Sequence, residues 1–259
     1  LAIRNAEYFD SRGGAPVLQV SSVEYERLVA AAESGAMVRV VVQGELENST
    51  AQNVIVRVPG EDREGRLLQA PSDDLVAAAV TSEPGVQRPH LGSHIRDASS
   101  ILPEGGKLGQ AELAPVVVMT PRSGWFNCAI ERGGGLACWL EIMRSISETT
   151  PVRDVIFIAT SGHELGHLGL EEFLELNPEL PGRALATIHL GSSIGAAVGW
   201  APRLQTSDEE LERLALDSFA GSVGFGDLPE LGVVPTGTVS GGEALQIFRK
   251  KGRFISVVG

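Results

Sequence analysis

Short apolar runs alternate along the chain with amphipathic stretches, and this pattern predicts strands followed by helices. The run Val155-Ile156-Phe157-Ile158-Ala159 is nearly continuous, as in a parallel strand covered on both faces. Thr160, Ser161 and Gly162 end it, and the stretch 153–170 reads as a buried strand running into a helix. Further strands are expected at 53–58, closed by Pro59-Gly60, and at 115–119, 184–190 and 254–258, with shorter ones at 17–20 and 38–42. Helices are expected from about 23 to 34, where Ser21 and Glu24 form a capping box and Gly35 ends the run, and over 136–146, 207–219 and 243–250. Residues 61–114 carry little pattern beyond a short helix at 73–80 and a Gly- and Pro-rich surface excursion over 83–107. Residues 220–242 are again rich in Gly and Pro. Strands and helices in alternation predict an α/β fold with a doubly wound, mostly parallel sheet.

Composition narrows the picture. A chain of 259 residues holds one large α/β domain, or one domain with a small appendage. Its formal net charge of -12 argues against nucleic acid and against an anionic membrane surface as partners. No apolar run approaches membrane-spanning length. Cys128 and Cys138 are expected as two free thiols, although a disulfide between them is open, so the redox compartment is not assigned. The chain begins at Leu1 with no visible signal peptide and is expected to be a fragment or processed form, which leaves its localisation open.

The most pointed chemistry is His163-Glu164-Leu165-Gly166-His167. On a helix, residues four apart share a face, so His163 and His167 would hold one metal ion with Glu164 beside it. The bland alternative is a His-Glu pair that caps and solvates a helix start, and Gly166 and Gly169 are poor helix-interior residues. The longer motif with a third His is absent. His90 and His94 form a second pair at the same spacing, but Pro89 and Gly92 oppose a helix there, and solvated loop histidines are the expected state. The turn 120–125 follows the strand at 115–119, and ligands of open parallel sheets bind outside such strand ends. Gly133-Gly134-Gly135 before a helix fits close approach of a backbone or ligand, or equally a helix N-terminus packed tightly on the sheet; no P-loop Lys follows.

The order of these pieces resembles the co-catalytic zinc aminopeptidase and glutamate carboxypeptidase family. Residues 53–60 resemble its first catalytic-domain strand, and 16–52 the closing part of the protease-associated insert that often precedes it. Residues 116–123 stand where the family has a strand ending in His-x-Asp, and 131–135 where it has Asp-Asn-Ala-Ser-Gly. His163-Glu164-Leu165-Gly166 stands at its Glu-Glu-x-Gly, 186–191 at a strand ending in a ligand Asp, and 248–258 at the strand before the last His ligand. The resemblance implies a division into 1–50, a partial protease-associated-like segment, and 51–259, an aminopeptidase-like α/β domain. The departures fall on the metal site: Pro121, Ser123, Glu131, His163 and Gly191 replace the family residues, and Glu164 alone is identical.

Three readings follow. The favoured one is a metal-dependent hydrolase of a peptide or amide bond with a rebuilt single-zinc site drawn from His163, His167, Glu164, Glu131 and His189. Either Glu164 or His163 would then be the base. Arg122, Ser123 and Trp125 would shape the pocket for a peptide or small amide, with Arg122 pairing a carboxylate. The second reading is a catalytically inactive, metal-free binding or assembly module. The third is a hydrolase using Cys128 or Ser123 with His163, although no nucleophile elbow is present. The plainer roles of these residues are a packed loop with a surface cation for Trp125 and Arg122, and a helix-start carboxylate for Glu131. The oligomeric state has no signal in the sequence.

Overall fold

The computed structural model describes residues 21–37, 39, 41, 50–61, 113–124, 127–195, 202–220, 232–239 and 241–259. The expectations at 17–20, 73–80 and 83–107, with His90 and His94, lie outside the described residues, as does Trp125; so do most of 38–42 and part of 220–242.

Among the described residues seven strands form one sheet: β1 (Val54–Val58), β2 (Val116–Pro121), β3 (Val155–Thr160), β4 (Ala186–Leu190), β5 (Arg203–Thr206), β6 (Gly232–Val233) and β7 (Phe254–Val258), in the order β1-β3-β2-β4-β7-β5-β6. The four central strands β3, β2, β4 and β7 are mutually parallel. β1 runs antiparallel against β3, and β5 antiparallel against β7. The fold is therefore mixed α/β with a mostly parallel sheet, as the alternating pattern predicts. β5 and β6 are additions: a four-residue and a two-residue strand leave too short a period to stand out in the sequence.

The period of two along each buried strand sorts its side chains between two layers. Val155, Phe157 and Ala159 of β3 and Val118 of β2 face α2 (Ala129–Ser147), which lays Trp139 against them with Leu136, Ile142, Met143 and Ile146. Trp139 meets Phe157 edge to face at 5.8 Å, and its indole N–H donates to the Val118 carbonyl at 3.1 Å. Ile156 and Ile158 with Val117 and Met119 face the other layer, built from α3 (Leu168–Leu176), α4 (Leu180–Arg183) and α6 (Glu243–Arg249). Helices thus cover both faces of the central sheet. α5 (Glu209–Ala220) buries Leu211 and Ala215. Ser21 caps the N-terminus as expected, accepting from the Val23 N–H at 3.4 Å, but the Glu24 carboxylate turns to Arg27 and does not complete the capping box. A 3-10 turn (Ser22–Glu24) leads into α1 (Tyr25–Glu33), a helix with no buried residue.

The glycine triplet belongs to α2 itself, which starts at Ala129 rather than Leu136. Of the two readings, tight packing on the sheet is the one realised. A Cβ on Gly134 would collide with the Ile194 carbonyl, and one on Gly135 would meet Thr120 Oγ1 at 2.9 Å and the Gly191 carbonyl at 3.0 Å. The helix propensity lost at three glycines is outweighed by this close approach to the ends of β2 and β4.

Candidate functional site

The helix expected to carry both histidines of the His163–His167 pattern does not form. Residues His163–Leu165 make a 3-10 turn, bounded by Gly162 and Gly166 with φ of 67° and 88°. His167 is itself left-handed at φ 61° and caps α3, which begins only at Leu168. The reason lies in Gly162, Gly166 and the tight turn around them: the Leu168 N–H returns to the Gly162 carbonyl at 3.2 Å, and the Gly169 N–H to Ser161 at 2.9 Å. Asn53 fastens the turn to the start of β1, accepting from Ser161 N at 2.9 Å and donating to the Gly169 carbonyl at 2.8 Å. His163 and His167 still come together, but as edge-packed rings with centroids 4.7 Å apart rather than as neighbours on one helical face.

Around this turn lies a cleft of about 220 Å³ at the carboxyl ends of β2, β4 and β7. Its lining includes Glu131, Arg132, His163, His189, Arg203 and Gly242. The position agrees with the rule for open parallel sheets. Below it, one row of side chains crosses the sheet in register: Ile55, Ile158, Met119, His189, Ser256, Gln205. The row is apolar on the β1-β3-β2 side and polar, yet buried, on the β4-β7-β5 side.

His189 and Ser256 of this row pair with each other, and Glu243 lies buried nearby. His189, 4% exposed, places Nδ1 2.8 Å from Ser256 Oγ, and burial pushes its pKa down to about 4, so it is neutral at pH 7. Glu243, the first residue of α6, is fully buried; its Oε1 accepts from Thr160 Oγ1 at 2.6 Å and lies 3.3 Å from His163 Nδ1. Burial pushes this carboxyl up, but His163, His189 and Thr160 outweigh it and hold it below the ordinary carboxylate range.

Glu164 points to another partner. Its Oε1 accepts from Arg132 Nη2 at 2.7 Å, and Ser123 Oγ lies 3.3 Å from its Oε2. The same Arg132 Nη2 stands 2.9 Å from Glu131 Oε1. Four of the five residues of the sequence-derived ligand set divide over three partners: Glu131 and Glu164 on Arg132, His163 on Glu243, and His189 on Ser256; His167 packs against the His163 ring. Among the described residues no group of three or more His, Cys, Asp or Glu is placed to hold a metal ion. Two carboxylates already engaged by one guanidinium do not fit a zinc centre.

Arg122 is exposed and donates to the Gln52 carbonyl, away from the cleft lining. Ser123 Oγ contacts Glu164 and the His163 backbone N–H, the latter at 3.1 Å. Cys128 and Cys138 are free thiols. Arg132, Glu243 and Arg203 have no distinguishing local signal: an Arg beside a Glu at a helix start reads as solvated, and burial of Arg132 follows from Glu164, 32 positions along the chain.

Fold and site together define a mixed α/β protein with a polar cleft at the carboxyl edge of its parallel strands. No family profile matches the chain, and no curated protein is significantly similar in sequence. Among solved structures it is similar to BSAP, a zinc aminopeptidase from Bacillus subtilis, at 17% identity and a TM-score of 0.44 over 56% of this chain and 36% of that one. It is similar to the LapA aminopeptidase of Legionella pneumophila at 14% identity and a TM-score of 0.44, over 58% of this chain and 42% of the other. For an Acidobacteriales bacterium glutaminyl cyclase the values are 12% and 0.48, over 83% and 64%. The chain thus spans less than two thirds of each of these proteins.

Proposed function

We propose that the chain is a metal-independent binding module that takes a peptide or small amide into the cleft at the carboxyl ends of β2, β4 and β7. The observation that carries this reading is His189 Nε2. It belongs to a side chain lining the cleft, and it is buried with no hydrogen-bond partner among the described residues. An unpaired buried polar atom costs about 1–3 kcal/mol, which a bound ligand recovers. An amide offers both a donor and an acceptor, so it satisfies either tautomer of a neutral imidazole. Titration of N-acetylated amino-acid amides and short peptides, followed through the histidine ring resonances, tests the proposal. Saturable shifts at His189, weakened at least tenfold in His189→Leu, are expected. Wild-type protein that binds none of these at millimolar ligand sinks the reading.

The metal-dependent hydrolase is the second reading. Its support is the pair of His163 and His167 rings at 4.7 Å beside the buried Glu243 carboxylate. Elemental analysis decides between the two. About one zinc per chain, lost in His163→Ala and His167→Ala, together with cleavage of aminoacyl or acyl amides, would replace the binding reading. Protein that stays zinc-free after reconstitution would remove the hydrolase.

A further inference from the structure

We infer that Arg132 is a tethered cation whose Nη2 atom stands where a divalent ion would have to stand to hold Glu131 and Glu164 together. The inference rests on the metal-independent reading above and deepens it. One atom, Nη2, lies 2.7 Å from Glu164 Oε1 and 2.9 Å from Glu131 Oε1. The Nε of the same guanidinium donates to the Ser123 carbonyl at 2.8 Å. These three acceptors come from the segment after β2, the start of α2 and the turn after β3. A single side chain therefore ties together the segments that shape one wall of the cleft.

The burial makes the charge necessary. The Arg132 side chain is 5% exposed and that of Glu164 is 11% exposed. A carboxylate this withdrawn needs a partner, and removing one member of such a pair leaves an uncompensated charge. Guanidinium suits the role because it is always charged and presents donors in a rigid fork. It is also outnumbered, since two carboxylates share one cation. Two carboxylate oxygens converge on Nη2, with the Ser123 carbonyl beside them on Nε, and oxygens of both kinds are ligands that a hard divalent ion would accept. The site is thus a cation site filled from within the chain, and it opens to metal only when the guanidinium is taken away.

The test compares wild type, Arg132→Met, and the triple variant Arg132→Met, Glu131→Gln, Glu164→Gln, each melted with and without sub-millimolar zinc or manganese chloride. Methionine keeps much of the side-chain volume and removes the charge. Arg132→Met should melt roughly 5–15 °C below wild type. Either metal should return at least half of that loss, by binding the folded state. The triple variant should be more stable than Arg132→Met and indifferent to metal, and wild type should not respond to metal. An Arg132→Met protein as stable as wild type would overturn the inference, as would one that neither metal nor loss of the two carboxylates restores. If Arg132→Met cannot be recovered folded, recovery of the triple variant supports the inference and its failure overturns it. Stoichiometric zinc in the wild type would instead sink the metal-independent reading, which separates the two failures.

Discussion

Glu243 and His163, 80 positions apart, meet at the carboxyl edge of the sheet with Oε1 and Nδ1 3.3 Å from each other. The carboxylate is fully buried and Thr160 donates to the same oxygen. This contact brings the first residue of α6 to the turn after β3, and so closes the cleft floor between chain segments that no local pattern connects.

Glu243→Ala should cost about 3–5 kcal/mol, because it breaks a buried charged network and strands Thr160 and His163. Glu243→Gln keeps the shape and should cost less. The folded carboxyl is held below its ordinary range, so its contribution is complete above that range and lost as pH falls through it. Urea unfolding at pH 7 and pH 4 checks both points: the acid loss should shrink in Glu243→Gln.

His189 sets a second pH dependence with its own window. Burial lowers its folded pKa to about 4, below the unfolded value near 6.5. The unfolded state then binds more protons, so stability is complete above about pH 6.5 and declines as pH falls toward 4. The loss is about 3 kcal/mol across that interval, of which roughly 2 kcal/mol has appeared by about pH 5. Chemical denaturation at pH 7.5 and pH 5 should show it in wild type and not in His189→Gln.

Neighbouring glycines of α2 should respond in opposite directions to alanine. Gly133 has open space around a would-be Cβ, so Gly133→Ala should stabilise by roughly 0.5–1 kcal/mol through helix propensity. A Cβ on Gly134 would strike the Ile194 carbonyl, so Gly134→Ala should destabilise by roughly 1–3 kcal/mol. Thermal melts of the two variants decide the matter, and equal shifts would contradict the packing of α2 on the segment after β4.

Asp208 joins α5 to β7. Its Oδ1 accepts from the Leu211 N–H at 3.1 Å, and its two oxygens take Arg253 Nη2 at 2.8 Å and Nε at 3.0 Å. The Arg253 hydrogen bonds hold its carboxyl well below the usual range. Asp208→Ala should cost about 1–2 kcal/mol, mainly as a lost helix cap, since the pair is a third exposed and screened by solvent. The folded carboxylate is held low enough to stay ionised at pH 3, so the cost should persist there and shrink only in part, as the unfolded chain takes up a proton. Melting curves at pH 7 and pH 3 provide the measurement.

The sequence by itself determined the elements whose signal is local. The apolar run at 155–159 became β3, and those at 116–119 and 254–258 became β2 and β7, because burial on both faces demands continuous apolar side chains. Ser21 with Glu24, and the acidic start at 207–210, likewise marked helix beginnings from a few adjacent residues. The location of a cleft beyond the ends of parallel strands followed from the fold class alone. Tertiary structure decided which side chains share a proton or a charge there. Arg132 meets Glu164 across 32 positions and Glu243 meets His163 across 80, so neither pairing leaves a periodic trace. The His163–His167 spacing shows the converse. It points to one helical face, but two left-handed glycines and the anchoring of the turn by Asn53 override the helical period. Local periodicity reports which face of an element is buried; the partner of a buried charge depends on chain crossings, and only the assembled sheet sets those.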